Sequence, residues 1–420
     1  DGIRDVERSR GLGDVYKRQL FPNTPGYGGA MTINRVLLDG EPVAPARELN
    51  GSALRFPLRP PLEPGAGIEL EIDFALEAPT EAHYGYRQFG YYDEVLALPN
   101  AYPLVPVYDD EGWNVELPPT YGDAIYSETA FYTVRVTAPA EMTLVASGTC
   151  DSPALKAGED ATWMCVAAPM RDFNLVLGAD YGMESRAVEG VTVNSVFPAG
   201  QQRGGERILD WAAESMRVFN ARFGPYPFTE LDVVATPTDA GGIEYPGMVV
   251  INEEFYASPS NYAEWVVVHE VAHQWWYSLV GNDQVDEPWL DEALTQYSTL
   301  LYFEDRYGAS VAEALLERMF QRPYEDLKKS GEDLPAGLPV AAYEEKDYGR
   351  VVYRKGPLYF HALRQEVGDE NFSDILRTYF ASHRYGVATA EDWLAAVETV
   401  VGDEQRALYD YWILGAVSAE

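Results

Sequence analysis

Cysteine is almost missing from the 420-residue chain, which carries only Cys150 and Cys165. Two thiolates alone cannot complete a tetrahedral metal site, so any metal must be held by other side chains. The pair brackets a turn-rich segment, Asp151-Ser152-Pro153 through Gly158-Glu159-Asp160, between two runs that read as strands. Facing positions on neighbouring strands suit a disulfide and an oxidising compartment, while two buried free thiols fit equally well. Long apolar runs are missing too. No stretch of roughly 18 apolar residues exists, so no membrane-spanning helix is encoded. The most apolar stretch, Trp265 to Val280, is broken by His269, Glu270, His273 and Gln274. Basic residues are few: 31 Lys and Arg stand against 67 Asp and Glu, a net charge of -36. Such a chain repels phosphate backbones and anionic membrane surfaces, which excludes nucleic acid as a partner. The acid surplus reads first as a solvated surface.

What is present is a globular composition, 46% hydrophobic and 23% charged, long enough for two or three domains. Asp14-Val15-Tyr16-Lys17-Arg18-Gln19 reads as a translated sequencing adapter, so residues 1–19 are set aside. On that reading the natural start is missing, and a signal or anchor would be missing with it. From Leu20 to about residue 190 the pattern is strands. Ile68-Glu69-Leu70-Glu71-Ile72-Asp73-Phe74 alternates with period two, and Phe131–Val136 and Met142–Ala146 do so less strictly. Pro, Gly and Asp punctuate these runs, as an antiparallel sandwich or saddle requires.

Near Arg203 the period becomes helical. Ile208, Trp211, Ala212, Met216 and Phe219 mark one helix, which Gly224-Pro225 stops. Glu230–Thr236 and Met248–Ile251 read as strands of a second sheet. Tyr262–Leu279 reads as an apolar helix with Ser258 or Asn261 as its N-cap. Asp286-Glu287-Pro288 opens another helix that runs to about Tyr307. The remainder reads as helical except for a loop-rich stretch from Pro323 to Tyr348. The fold class is therefore α+β, with a β domain over 20–190 and a mixed domain over 191–420.

His269-Glu270-Val271-Ala272-His273 places H-E-x-x-H within the apolar helix. Side chains four apart leave one helical face, so both imidazoles can reach one ion, and Glu270 stands close enough to take a proton from water there. A five-residue match arises by chance, but the flanking Trp265, Val266, Val267, Val268, Trp275 and Trp276 bury this helix. Two histidines and a glutamate would be costly to desolvate there without a partner. Eighteen residues, 274–291, separate His273 from Glu292, which lies early in the next helix. Glu292 supplies a third ligand and leaves one position open, the arrangement of a catalytic zinc. Asp291 fits either a partner of a ligand or a solvated cap.

These motifs resemble the zinc aminopeptidases of the aminopeptidase N and leukotriene hydrolase type, within the gluzincins. The resemblance covers nearly all of residues 85–415. It rests on His269 to Trp275, on Trp289-Leu290-Asp291-Glu292-Ala293 and on two further motifs. It implies an N-terminal β-saddle followed by a thermolysin-like catalytic domain with a small mixed sheet and helices. Gly241-Gly242-Ile243-Glu244-Tyr245 resembles the family's G-x-M-E-N, whose glutamate binds a free α-amine and whose backbone pairs with the peptide. The implied roles fall to Glu244 and Gly242. Ile243 stands for Met and Tyr245 for Asn, and the second departure leaves the strictness of exopeptidase specificity open. Tyr353-Arg354-Lys355-Gly356 resembles Y-x-K-G, which implies an oxyanion donor at Tyr353. Tyr348 reads as pocket wall or packing, and His83, His361 and His383 as surface or packed residues. Asn100 to Asn114 resembles short bacterial members and receives no role. The large C-terminal helical domain of longer members finds no room here, and a more open cleft is expected.

The mechanism implied is one Zn2+ per chain on His269, His273 and Glu292, with Glu270 as general base. The partners expected are peptides, with Glu244 holding the ammonium. A thermolysin-like endopeptidase is the alternative, and an inactive binding protein a more distant one. Oligomeric state is left open, and the compartment leans only toward the outside of the cytoplasm.

Overall fold

The computed structural model describes residues 7–10, 30–81, 86–109, 112–115, 119, 121–122, 125–151 and 160–416. The adapter-like Asp14–Gln19, His83 and the segment 152–159, expected from its sequence to be turn-rich, lie outside the described residues.

The first half is antiparallel sheet. Strand Leu70–Glu77 keeps the alternation expected from its sequence, half-buried and exposed residues taking turns along it. It pairs with Ala30–Leu38 at the edge of a three-stranded sheet. Ala130–Ala138 pairs with Ala161–Met170, which also pairs with Thr149–Cys150. Cys150 and Cys165 stand directly opposite in that ladder and are joined as a disulfide. Gly90–Tyr92, Val95–Leu98, Leu175–Ala179 and Met142–Ala146 make a four-stranded sheet.

A five-stranded mixed sheet follows. Tyr181–Val188 and Val191–Pro198 form a hairpin, so residue 190 is a turn between two strands of one sheet. Glu230–Thr236 and Met248–Asn252 continue it in parallel, and Gly242–Ile243 closes it as an antiparallel edge strand. The central strands are apolar on both faces because both are covered. Val196, Val234, Met248 and Val250 meet Val95, Val145 and Val176 of the four-stranded sheet. Leu231, Val233, Ala235, Val249 and Ile251 face the helices, led by Gln202–Arg222 and Asn261–Ala272. The architecture is α+β: antiparallel sheets first, then a mixed sheet backed by helices. No helix among the described residues is long and apolar enough to cross a membrane.

Two boundaries differ from expectation. Arg322–Ser330 is a helix where a loop was expected from Pro323 onward. Pro323 sits in its first turn, Gly331 ends it in the left-handed conformation, and Tyr324 and Leu327 are buried. Proline early and glycine just after are a helix signature, here overshadowed by surrounding polar residues. The second difference concerns the helix that carries the histidines.

Candidate active site

That helix spans Asn261–Ala272 rather than reaching Leu279, and its N-cap is Ser260, not Ser258 or Asn261. Ser260 Oγ accepts from the Ala263 amide at 3.2 Å. Past Ala272 the chain curls tightly, with Trp275 N donating to Ala272 O at 2.9 Å, and Tyr277 takes a positive φ of 119°. A bulky residue rarely holds that conformation unless its surroundings enforce it. Buried Arg171 does so here. Its guanidinium donates to Tyr277 O at 2.7 Å, Ser127 O at 2.5 Å and Gly386 O at 2.6 Å. The Tyr277 hydroxyl donates to buried Asp172, whose carboxyl burial lifts to about 6. Trp275, Trp276 and Leu279 kept the apolar pattern running because they are buried, not because they are helical.

The next helix opens with a wide π-type turn, Trp289–Ala293, before Leu294–Tyr307. Such turns gather at functional sites because they redirect side chains within a helix. Here consecutive Asp291 and Glu292 both reach the histidines. His269 Nε2 lies 3.2 Å from His273 Nε2 and 3.2 Å from Glu292 Oε2, and the third side of the triangle is 3.6 Å. A tetrahedral ion with ligands at about 2.0–2.1 Å sets its ligand atoms roughly 3.3–3.4 Å apart. The triangle therefore fits a zinc ion. Among the described residues, buried Glu292 Oε2 has no hydrogen-bond donor and faces the two imidazole nitrogens, which leaves its lone pairs for a cation. On the far side of His273, Nδ1 meets Asp291 Oδ1 at 2.7 Å, Trp276 O at 3.0 Å and Thr295 Oγ1 at 3.2 Å. A carboxylate and a carbonyl fix the proton on Nδ1 and leave Nε2 as the donor to a metal. Asp291 is thus a buried partner of His273 and not a solvated cap.

Around this triangle stand the other expected residues. Glu270 leans over the edge strand, where an ideal Cβ on Gly242 would stand 2.7 Å from its Oε1. Only a glycine leaves that space open. A carboxylate oxygen of largely buried Glu244 lies within 4.8 Å of His273 and Asp291. The Tyr353 ring is 6.2 Å from the His269 ring and 5.8 Å from Tyr348, so both tyrosines stand by the site. All open on one cleft of about 710 Å³, whose wall includes Asn100, Leu104 and Val105 of the unassigned segment. His361 and His383 contact Tyr297 and Tyr379 instead.

Four buried carboxylates crowd two imidazoles here. Burial pushes the Glu244 carboxyl up to about 7 and Glu270 well above its usual range, each reinforced by neighbouring acids. Burial lowers His269. In His273 burial acts the same way but is outweighed by Asp291 and Glu292, which draw it well up. Burial works against ionised Glu292, yet His273 and His269 hold it well below the usual carboxylate range. Such a cluster is relieved by a divalent cation and an ammonium group.

Sequence reasoning left out Arg171, Thr295, Gln284 and the role of Gln274. Gln284 donates to Asp291. Gln274, fully buried, donates to Tyr245 O at 3.2 Å and accepts from Gly247 N at 2.9 Å, which pins the edge strand to the site helix. Its place directly after His273 was a signal; for Arg171 there was none.

Residues 207–412 match the peptidase family M1 domain. Aminopeptidase M1 of Arabidopsis thaliana is 27% identical over 252 residues, which take in 57% of this chain and 28% of that protein. Aminopeptidase B of Rattus norvegicus is 30% identical over 182 residues, 41% of this chain and 28% of that one. The chain therefore spans little more than a quarter of these curated relatives. A crystal structure of a mutant M1 zinc metallopeptidase from Deinococcus radiodurans, bound to a Tyr-Ser-Ala substrate, has the same fold. It superposes with a TM-score of 0.70 at 21% identity, covering 99% of this chain and 88% of that one.

Proposed function

The chain belongs to peptidase family M1, and on that premise we propose that it is a zinc-dependent aminopeptidase acting on peptides. The observation that carries this reading is the triangle of Nε2, Nε2 and Oε2 atoms 3.2–3.6 Å apart. His269, His273 and Glu292 would hold one ion per chain. Once bound, zinc supplies a Lewis acid that polarises a carbonyl and makes water more acidic. Glu270 takes the proton of the attacking water on its carboxylate and hands it to the departing amine. Tyr353 donates its hydroxyl hydrogen to the substrate oxygen as negative charge gathers there. Glu244 receives the N-terminal ammonium, and the Gly242 backbone aligns the peptide beside it. Asp291 keeps His273 in the ligating tautomer. Two facts about other proteins agree with this: the relatives named above are aminopeptidases, and the Deinococcus enzyme takes a tripeptide.

The test combines metal analysis with an aminoacyl anilide assay, with and without chelator. One zinc per chain and chelator-sensitive release are expected. Glu270→Gln keeps the zinc and loses nearly all turnover; full activity in that variant ends the proposal. N-acetylated peptides should be poor substrates, and equal rates on blocked and free peptides would turn the reading toward an endopeptidase.

A further inference from the structure

We infer that the cleft contains a separate subsite, formed by Tyr262 and Tyr86, for an aromatic or apolar side chain three to four residues beyond the cleaved bond. The inference rests on the aminopeptidase reading, which fixes where a peptide begins. The site helix and the edge strand run side by side in the same direction. An ideal Cβ on Gly241 would stand 3.4 Å from Val266 Cγ2, Gly242 faces Glu270, and Gln274 reaches the carbonyls of Glu244 and Tyr245. Among the described residues Gly242–Ile243 is the last strand of its sheet, so its outer edge can take an added strand. A peptide with its ammonium at Glu244 therefore runs back past Gly242 and Gly241, antiparallel to the strand.

The helix serves as a ruler. From Val271, midway between the two histidines, back to Tyr262 is roughly 13 Å at about 1.5 Å per residue. Extended peptide covers that distance in about four residues. Tyr262 lines the cleft with 60% of its surface exposed, and its ring meets Phe255 edge-on at 5.8 Å. Phe255 in turn lies 3.9 Å from the Cβ position of Gly241, beneath the line of the peptide. Tyr86, 48% exposed, lines the same end, because its carbonyl accepts from Asp239 N at 2.9 Å, just upstream of Gly241. Two aromatic residues left about half exposed beside a substrate path gain most from an apolar side chain. Of the acids at this end, Asp239 and Asp93 are already paired with Arg87, at 2.7 and 3.6 Å.

The experiment uses hexapeptides of Leu followed by Gly, with one Phe moved from the second to the sixth position. Release of Leu is followed as kcat/KM. A maximum of about fivefold is expected with Phe at the fourth or fifth residue. Tyr262→Ser should flatten that maximum and leave leucine anilide turnover unchanged. A flat scan in the parent protein, or a maximum that survives Tyr262→Ser, overturns the subsite. Failure to cleave leucine anilide at all overturns the aminopeptidase reading, and the subsite with it.

Discussion

Asp291→Asn isolates the contribution of one buried carboxylate to metal affinity while changing almost no volume. In the parent, one oxygen of Asp291 stands 2.7 Å from His273 Nδ1, and the other accepts from Gln284. Both neighbours are donors. An asparagine has a single acceptor oxygen, so its amide must face one of them, and either His273 or Gln284 loses this acceptor. Trp276 O at 3.0 Å and Thr295 Oγ1 at 3.2 Å still hold the imidazole, so the ligand is loosened rather than lost. Removing a partner of this kind weakens metal binding by about 10–100-fold, or roughly 1.4–2.8 kcal/mol. Competition between the protein and a chromogenic chelator for zinc measures that loss directly. The variant also thins a crowd of acids that includes Glu244, Glu270 and Glu292. Weaker zinc binding without a comparable drop in metal-free melting temperature is the expected signature. Unchanged zinc affinity would show that the contact at His273 Nδ1 contributes nothing, and the account of the tautomer would fall.

Other predictions concern the supports of the site. Asp232 is buried in the mixed sheet, accepting from Asn194 at 2.7 Å, and burial lifts its carboxyl from 3.8 to about 7. An acid raised in the folded state contributes its stability below about 3.8 and loses it as pH rises through about 7. Asp232→Asn should then match the parent at pH near 4 and exceed it by up to about 4 kcal/mol at pH 8. Urea melts at the two pH values decide, and equal differences at both would refute the linkage. Arg171→Met leaves three buried carbonyls and Asp172 without their cation, and should cost about 3–5 kcal/mol of stability. A loss under about 1 kcal/mol in denaturant melts would show that Tyr277 needs no such brace. Glu244→Gln should lower kcat/KM on free peptides by about 10–100-fold and leave N-acetylated peptides almost unaffected. Equal losses on both would make Glu244 a packing residue.

The motifs were legible because their geometry is local. Four residues of helix bring His269 and His273 together whatever the rest of the chain does, and the spacing to Glu292 needs only one helix returning beside another. Strand alternation in Leu70–Glu77 is legible for the same reason. The helix end was not. Trp275, Trp276 and Leu279 are apolar because they are buried, and burial carries no signature that separates a helix from the tight turns after it. Cys150 and Cys165 left two readings open until the register set them opposite one another.

Arg171 shows why the remainder stayed out of reach, and what the first half of the chain does for the second. Its three acceptors lie 44, 106 and 215 positions away, so no window along the sequence could join them. Yet its Nε holds the carbonyl of Tyr277, and the carbonyl just before it, on Trp276, is an acceptor for His273 Nδ1. The orientation of His273, a proposed metal ligand, thus depends on a side chain from the β-rich half of the molecule. A metal site needs its ligands held to within a fraction of an ångström by residues beyond those that touch the ion. H-E-x-x-H specifies which atoms meet; the buried guanidinium helps to specify how firmly. That division explains why the short motif is easy to recognise and insufficient by itself. The excised helical half would keep His269, Glu270, His273 and Glu292 and still lose the brace that sets the turn behind them.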